Sequence, residues 1–353
     1  MHHYYDRYGH DFGTLFLNRE KEAIQHAFST IRSFIGAHAQ DHFVLTTSGA
    51  EATLQVCMSA IIDYLSQNKK NHILTTSTET SILSLQKPLQ KLGYSIQILP
   101  LNKKGQLTKK NVETALSSQT GLLSFSAANN YTGIIHPFWE LAELCHNKKV
   151  LCHVDISGIL GYIPFQFSQI PIDYITFEGT LLRGPQGSGG LCVHRNREFT
   201  PFIPKTNLHI INLLGLSMAC DEMQQSDDIV SMEIARLRNL LEEEICKALP
   251  EVKIVFQEVD RLPSITAIIF PGISSELLAF HLHESGVMIS FDENNSKNLE
   301  HLLTTIGIDP LEAQSAISFS LSQHTTEQEI RRAIEIIVDC AQKCRTYSER
   351  LIP

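Results

Sequence analysis

Four short stretches hold the residue types from which a ligand site could be built. "TTSGAEA", Thr46 to Ala52, puts small residues between a β-branched run and an amphipathic one. Backbone N–H groups in such a turn can approach an anion, and the start of a helix favours negative charge. A small-residue turn with an N-cap is the structural alternative. "AANNYTG" sets Asn129 and Asn130 after a strand, where an amide either meets a ligand edge or shapes a turn. "CHVDISG" ends an apolar run on Asp155. A carboxylate there needs a partner, either a cationic ligand nitrogen or the turn that follows. "FEGTLLRGPQGSGGL", Phe177 to Leu191, carries Gly184, Gly187, Gly189 and Gly190, a backbone that can bend sharply and pack close.

The elements that position these stretches alternate. "HFVLTT", "HILTTS", "YSIQILPL", "TGLLSFSAA", "VLCHVDIS", "DYITFEG" and "GGLCVHR" read as strands. "GAEATLQVCMSAIIDYL", "ETSILSLQKPLQKLG" and "HPFWELAELCHNKK" read as helices between them. Strands and helices at this spacing predict a mainly parallel sheet covered on both faces. In such sheets ligands bind beyond the carboxyl ends of the strands, where all four stretches arrive.

After about residue 225 the texture changes. "IVSMEIARLRNLLEEEICKAL" is a long amphipathic helix, expected to bridge two lobes. "KIVFQE", "ITAIIF" and "VMISF" read as strands and "SSELLAFHLHESG" as a helix. Thr326 and Glu329 form a capping box, after which Ile330, Ala333, Ile334, Ile337, Ala341 and Cys344 recur on one helical face. The expected division is a large α/β domain over residues 1–235 and a small α+β domain over 236–353.

With 353 residues and 43% apolar content the chain can bury a large core, and a net charge of −9 argues against nucleic acid or an anionic membrane surface as partner. No apolar run reaches a membrane span and the first residues lack a secretion signal, so the expected compartment is the cytoplasm. The eight cysteines form no C-x-x-C pair, which disfavours a disulfide framework. Cys340 and Cys344 lie one helical turn apart and read as buried small residues in preference to metal ligands. The glycines of "GPQGSGG" lead into a strand, not a helix, and no G-x-G-x-x-G follows a strand, so a dehydrogenase is poorly supported.

Taken in order and spacing, these stretches resemble the class V aminotransferase fold, and most closely the cysteine desulfurases of the NifS/IscS type. "HILTTSTETSIL", "LSFSAANNYTGIIHP", "HVDISGILGYIPFQFSQIPIDYITFEG", "RGPQGSGGLCVHR" and "AISFSLSQHTTEQEIRRAIEII" are all similar to that family's segments, from about residue 10 to residue 345. The resemblance implies the pyridoxal phosphate (PLP)-dependent transferase fold type I, PLP held on a lysine, and a mobile cysteine that takes sulfur. It further implies a homodimer and an iron–sulfur scaffold or sulfur-acceptor protein as partner. Carried over residue by residue, Asp155 would pair the pyridine nitrogen and Asn130 the ring hydroxyl. Gly49 and Ala50 would take the phosphate, and Thr206 the phosphate of a neighbouring subunit's cofactor.

The sequence departs from the family at its chemical positions. The Ser-x-His-Lys pattern becomes "EGTL", with Glu178 for the phosphate-binding serine, Thr180 for the histidine and Leu181 for the Schiff-base lysine. The ring-stacking histidine falls at Thr80, the glutamine after the Asp strand at Gly158, and the substrate-clamping arginine at Ser318. The catalytic cysteine falls near Asn295 in "FDENNSKN", a stretch expected to be a mobile loop, and no cysteine lies between Cys246 and Cys340. The family's opening Asp-Asn-Ala-Ala-Thr-like stretch and a glycine-rich segment near residue 200 have no counterpart. The leading expectation is therefore a degenerate cysteine desulfurase homologue that acts by binding. The alternatives are an active PLP enzyme using Lys205 or a lysine from the other subunit, and PLP bound non-covalently through Gly49, Ala50, Asn130 and Asp155.

Overall fold

The structure is a computed structural model and describes residues 17–203, 209–225, 228–289 and 293–351. The chain divides into two compact units. The first comprises residues up to 99, 108–127 and 137–226; the second takes 100–107, 128–136 and everything from 227.

In the first unit the order is α1 (Leu17–Phe34), β1 (His42–Thr46), α2 (Gly49–Ala60), β2 (His72–Thr75), α3 (Thr80–Ser84), α4 (Gln86–Lys91) and β3 (Ser95–Ile98). It continues with α5 (Lys109–Ala115), β4 (Thr120–Ser126), α6 (Phe138–Lys148), β5 (Leu151–Asp155), β6 (Tyr174–Glu178), β7 (Gly189–Val193) and α7 (Ile210–Gln225). The seven strands form one sheet in the order β1-β7-β6-β5-β4-β2-β3. Pairs from β3 to β6 are parallel, and β7 alone runs antiparallel to both of its neighbours. Covering the sheet buries Val56, Leu65, Ile73, Leu122, Leu151 and Leu191 in one apolar cluster, each worth roughly 1.5–3 kcal/mol when fully removed from water.

Two helices depart from the pattern read in the sequence. The long run after Gly49 is α-helical to Ala60 and then passes into a π-helical turn, Ile61–Leu65. The next run breaks at Leu85, which puts Pro88 in the first turn of α4, where its missing N–H leaves no gap.

The second unit contains α8 (Asp228–Ala248), β8 (Lys253–Ile254), β9 (Ile265–Ile269), α9 (Ser275–Glu284), α10 (Glu293–Thr305), α11 (Pro310–Ala313), β10 (Ala316–Ser320) and α12 (Glu327–Leu351). Its three strands pair antiparallel in the order β10-β9-β8. The helix expected to bridge the lobes, α8, belongs to this unit. "KIVFQE" keeps only two strand residues, because Phe256 turns the backbone to φ 59°. In "VMISF", Val287–Ile289 are not strand, and Ser290 and Phe291 lie outside the described residues. The capping box forms: Thr326 N–H donates to Glu329 Oε2 at 2.8 Å and Glu329 N–H to Thr326 Oγ1 at 3.2 Å. Arg261 and Glu242, 3% and 2% exposed at their side chains, make a buried ion pair at 2.9 Å.

Candidate functional site

The register of β7 builds one corner of the first unit. Gly189 lies opposite Thr46 of β1 on one side and Glu178 of β6 on the other. A Cβ on Gly189 would stand 2.7 Å from the carbonyl carbon of Ser48 and 3.0 Å from the nitrogen of Gly49, so only glycine lets the two strand ends close up. The start of α2 therefore lies directly against the end of β6. Ser48 caps the helix, its Oγ accepting from Glu51 N–H at 3.1 Å. Gly49 N–H donates to Glu178 Oε2 at 2.7 Å. The other carboxylate oxygen, Oε1, accepts from the Thr180 hydroxyl at 3.1 Å. Glu51 accepts from Thr47 N–H at 2.9 Å, so two carboxylates serve the positive end of this helix.

Asp155 ends β5 on the neighbouring strand. Its Oδ1 accepts from Ser157 N–H at 2.9 Å and its Oδ2 from the Thr176 hydroxyl at 3.2 Å. Burial lifts the Asp155 carboxyl above its ordinary range, against the pull of these hydrogen bonds. Ser157 also joins the two acids, since its Oγ accepts from Glu178 N–H at 2.9 Å.

Behind Asp155 a polar chain crosses the sheet. His153 stands two residues before it on the same face of β5. Its Nδ1 lies 2.7 Å from Ser124 Oγ and its Nε2 2.9 Å from Thr176 Oγ1. Thr176 has one hydroxyl proton and gives it to Asp155, so His153 Nε2–H donates to Thr176 and Nδ1 accepts from Ser124. Burial pushes the His153 pKa down to about 3, which keeps the ring neutral as this pattern requires. Glu79 adds a further acid. It is 7% exposed, accepts a hydrogen bond from the Ser126 hydroxyl, and has its pKa raised to about 7 by burial and by the charge of Asp155.

Of the sequence candidates, Gly49 and Asp155 are thus linked through Glu178, Ser157 and Thr176 within one unit. Ala50 is exposed beside Gly49 in the first turn of α2. Asn129 and Asn130 belong to the second unit. Asn129 shapes its turn, its Oδ1 accepting from Tyr131 N–H at 2.9 Å and Thr132 N–H at 3.0 Å, while Asn130 is exposed. Thr206 and Lys205 lie outside the described residues. Leu181 sits on a short 3₁₀ turn, Gly179–Leu182, 50% exposed. Arg183 closes that turn at φ 61°, and Gly184 N–H returns to Gly179 O at 2.8 Å, so the loop keeps a tight turn. Asn295 lies in α10, where a mobile loop was expected. Thr80 opens α3 and Ser318 lies on β10 opposite Ala267. Seven of the cysteines are buried and Cys246 is half-buried, with burial raising its thiol pKa.

Sequence reading missed Glu79, Ser157, Thr176 and His153. Two of them carried a signal: His153 and Thr176 are polar residues at inward positions of otherwise apolar strands.

The mostly parallel sheet in this strand order matches the PLP-dependent transferase fold type I. Residues 1–209 match the family model Aminotransferase class-V, more than half of the 353 residues, and the chain belongs to that family. It is 28% identical over 341 residues to a cysteine desulfurase of Nostoc sp., covering 93% of this chain and 84% of the relative. The cysteine desulfurase NifS of Azotobacter vinelandii is 26% identical over 352 residues, 96% of this chain and 86% of its own. A solved NifS-like protein superposes with a TM-score of 0.86 at 22% identity, covering 96% of this chain and 94% of that one. Among the described residues no helix is long and apolar enough to cross a membrane.

The family is PLP-dependent, but the residues at this site do not fit that cofactor. The helix N–H expected to meet the phosphate already has a carboxylate at 2.7 Å. Both Asp155 oxygens have partners within the chain. The position expected to supply an amine is a hydrocarbon facing solvent.

Proposed function

We propose that the chain is a cysteine desulfurase-like protein that acts by binding, without turnover, in sulfur transfer or iron–sulfur cluster assembly. One replacement carries the reading: Leu181 stands where the family resemblance requires the lysine that condenses with the aldehyde. A saturated side chain forms no imine, and the adjacent Arg183 is no substitute because a guanidinium stays protonated. The protein would work in the cytoplasm as a homodimer or paired with an active relative, and offer the family's framework to a scaffold or sulfur-acceptor protein.

The test is spectroscopic. The purified protein should lack the visible absorption of an internal aldimine, and borohydride reduction should leave no pyridoxyl-lysine for mass spectrometry to find. A labelled lysine at any position would end this reading and establish a rearranged active enzyme.

A further inference from the structure

We propose that Glu178 is a built-in anion for the N-terminus of α2, and that it determines which ligands this corner of the sheet admits by shutting out phosphorylated ones. The inference deepens the reading above, because it gives a physical reason for a phosphate-bearing cofactor to find no seat.

The geometry is specific on each side of the carboxylate. Oε2 lies 2.7 Å from Gly49 N, the separation of a charge-assisted hydrogen bond. Oε1 accepts from the Thr180 hydroxyl at 3.1 Å, and the Glu178 backbone is fixed through its N–H to Ser157 Oγ at 2.9 Å. The strand pairing leaves little slack. Gly189 is registered against both Thr46 and Glu178, and a Cβ on Gly49 would already lie 3.3 Å from the Glu178 Cβ and nitrogen. A phosphate oxygen seeking Gly49 N–H has to displace Glu178 Oε2. The displaced carboxylate stays tethered to the end of β6, beside the newcomer. Glu51, on the Thr47 N–H at 2.9 Å, adds a second like charge at the same helix end. Two fixed negative groups then oppose an incoming dianion, where a serine would offer only a hydroxyl donor.

The experiment uses the full chain as wild type, Glu178→Ser and Glu178→Gln, titrated calorimetrically with pyridoxine 5′-phosphate and with pyridoxine. These probes lack the aldehyde, so surface lysines do not react with them, and they differ only in the phosphate. The expected result is at least tenfold tighter binding of pyridoxine 5′-phosphate by Glu178→Ser than by wild type, with pyridoxine affinity equal in both. Glu178→Gln keeps an acceptor for Gly49 N–H but no charge, and should gain part of that factor. Wild-type affinity equal to that of Glu178→Ser, or an equal gain for pyridoxine, overturns the proposal. A second measurement needs no variant. In the wild-type chain, amide exchange at Gly49 should be at least tenfold slower than in an open chain, and exchange at the open-chain rate overturns the assignment. Failure here leaves the borohydride result standing, and a pyridoxyl-lysine there leaves the affinity comparison readable, so the two ideas fail separately.

Discussion

Replacing Glu79 by glutamine should change how the stability of the first unit depends on pH. In the fold Glu79 is 7% exposed, and its pKa rises from 4.5 to about 7, first through loss of hydration and second through the charge of Asp155. Between those two values the folded protein keeps a proton that the unfolded chain has released. Each step upward in pH therefore favours unfolding, beginning near pH 4.5 and ending near pH 7. At about 1.4 kcal/mol per pH decade the interval amounts to roughly 3 kcal/mol lost by wild type at neutral pH. Glutamine keeps an acceptor for the Ser126 hydroxyl and does not titrate. Thermal melts of both proteins at half-unit steps from about pH 4 to 8 should show the variant gaining on wild type through the window, by roughly 6–12 °C at the top. The single tryptophan, Trp139, belongs to the same unit as Glu79, so its fluorescence reports the relevant transition. A difference in midpoint that stays constant across the range would refute the assignment of a raised pKa to Glu79.

Further outcomes follow from other residues. Glu242→Ala leaves Arg261 charged and 3% exposed, so it should cost about 3–5 kcal/mol in chemical denaturation, whereas the double replacement Glu242→Met with Arg261→Met should recover most of that. Gly190→Ala places a Cβ 2.4 Å from the Phe177 ring, and a loss of about 1–3 kcal/mol in the same assay is expected. After equimolar PLP, borohydride reduction and peptide mapping, Leu181→Lys alone should carry no pyridoxyl group at position 181, because Glu178 still holds Gly49 N–H; Leu181→Lys with Glu178→Ser should carry one there.

The sheet was legible because its strands are short apolar runs bounded by polar or small residues, as in "HILTTS" and "DYITFEG". Helix α7 was not, because "IINLLGLSMACDEMQQ" is apolar on nearly every side and shows no helical period. The break at Leu85 was written in the position of Pro88 but went unread inside a continuous amphipathic pattern. "KIVFQE" alternates well, yet Phe256 adopts a left-handed backbone that alternation cannot foretell. At the site, Asp155 and Gly49 could be picked out from their local surroundings. The bond from Gly49 to Glu178 could not, because it joins residues 129 apart and depends on the two-sided pairing of Gly189. Likewise Glu79 reads as one acid in a polar stretch, and only folding removes it from water.

The burial of the thiols has a consequence for the company this molecule can keep. Sulfur handed between proteins travels on exposed thiolates, and peroxide attacks the same species. With seven cysteines enclosed and Cys246 held toward its protonated form, the thiols of the folded chain offer such reagents little foothold. It can stand beside persulfide carriers without collecting their sulfur.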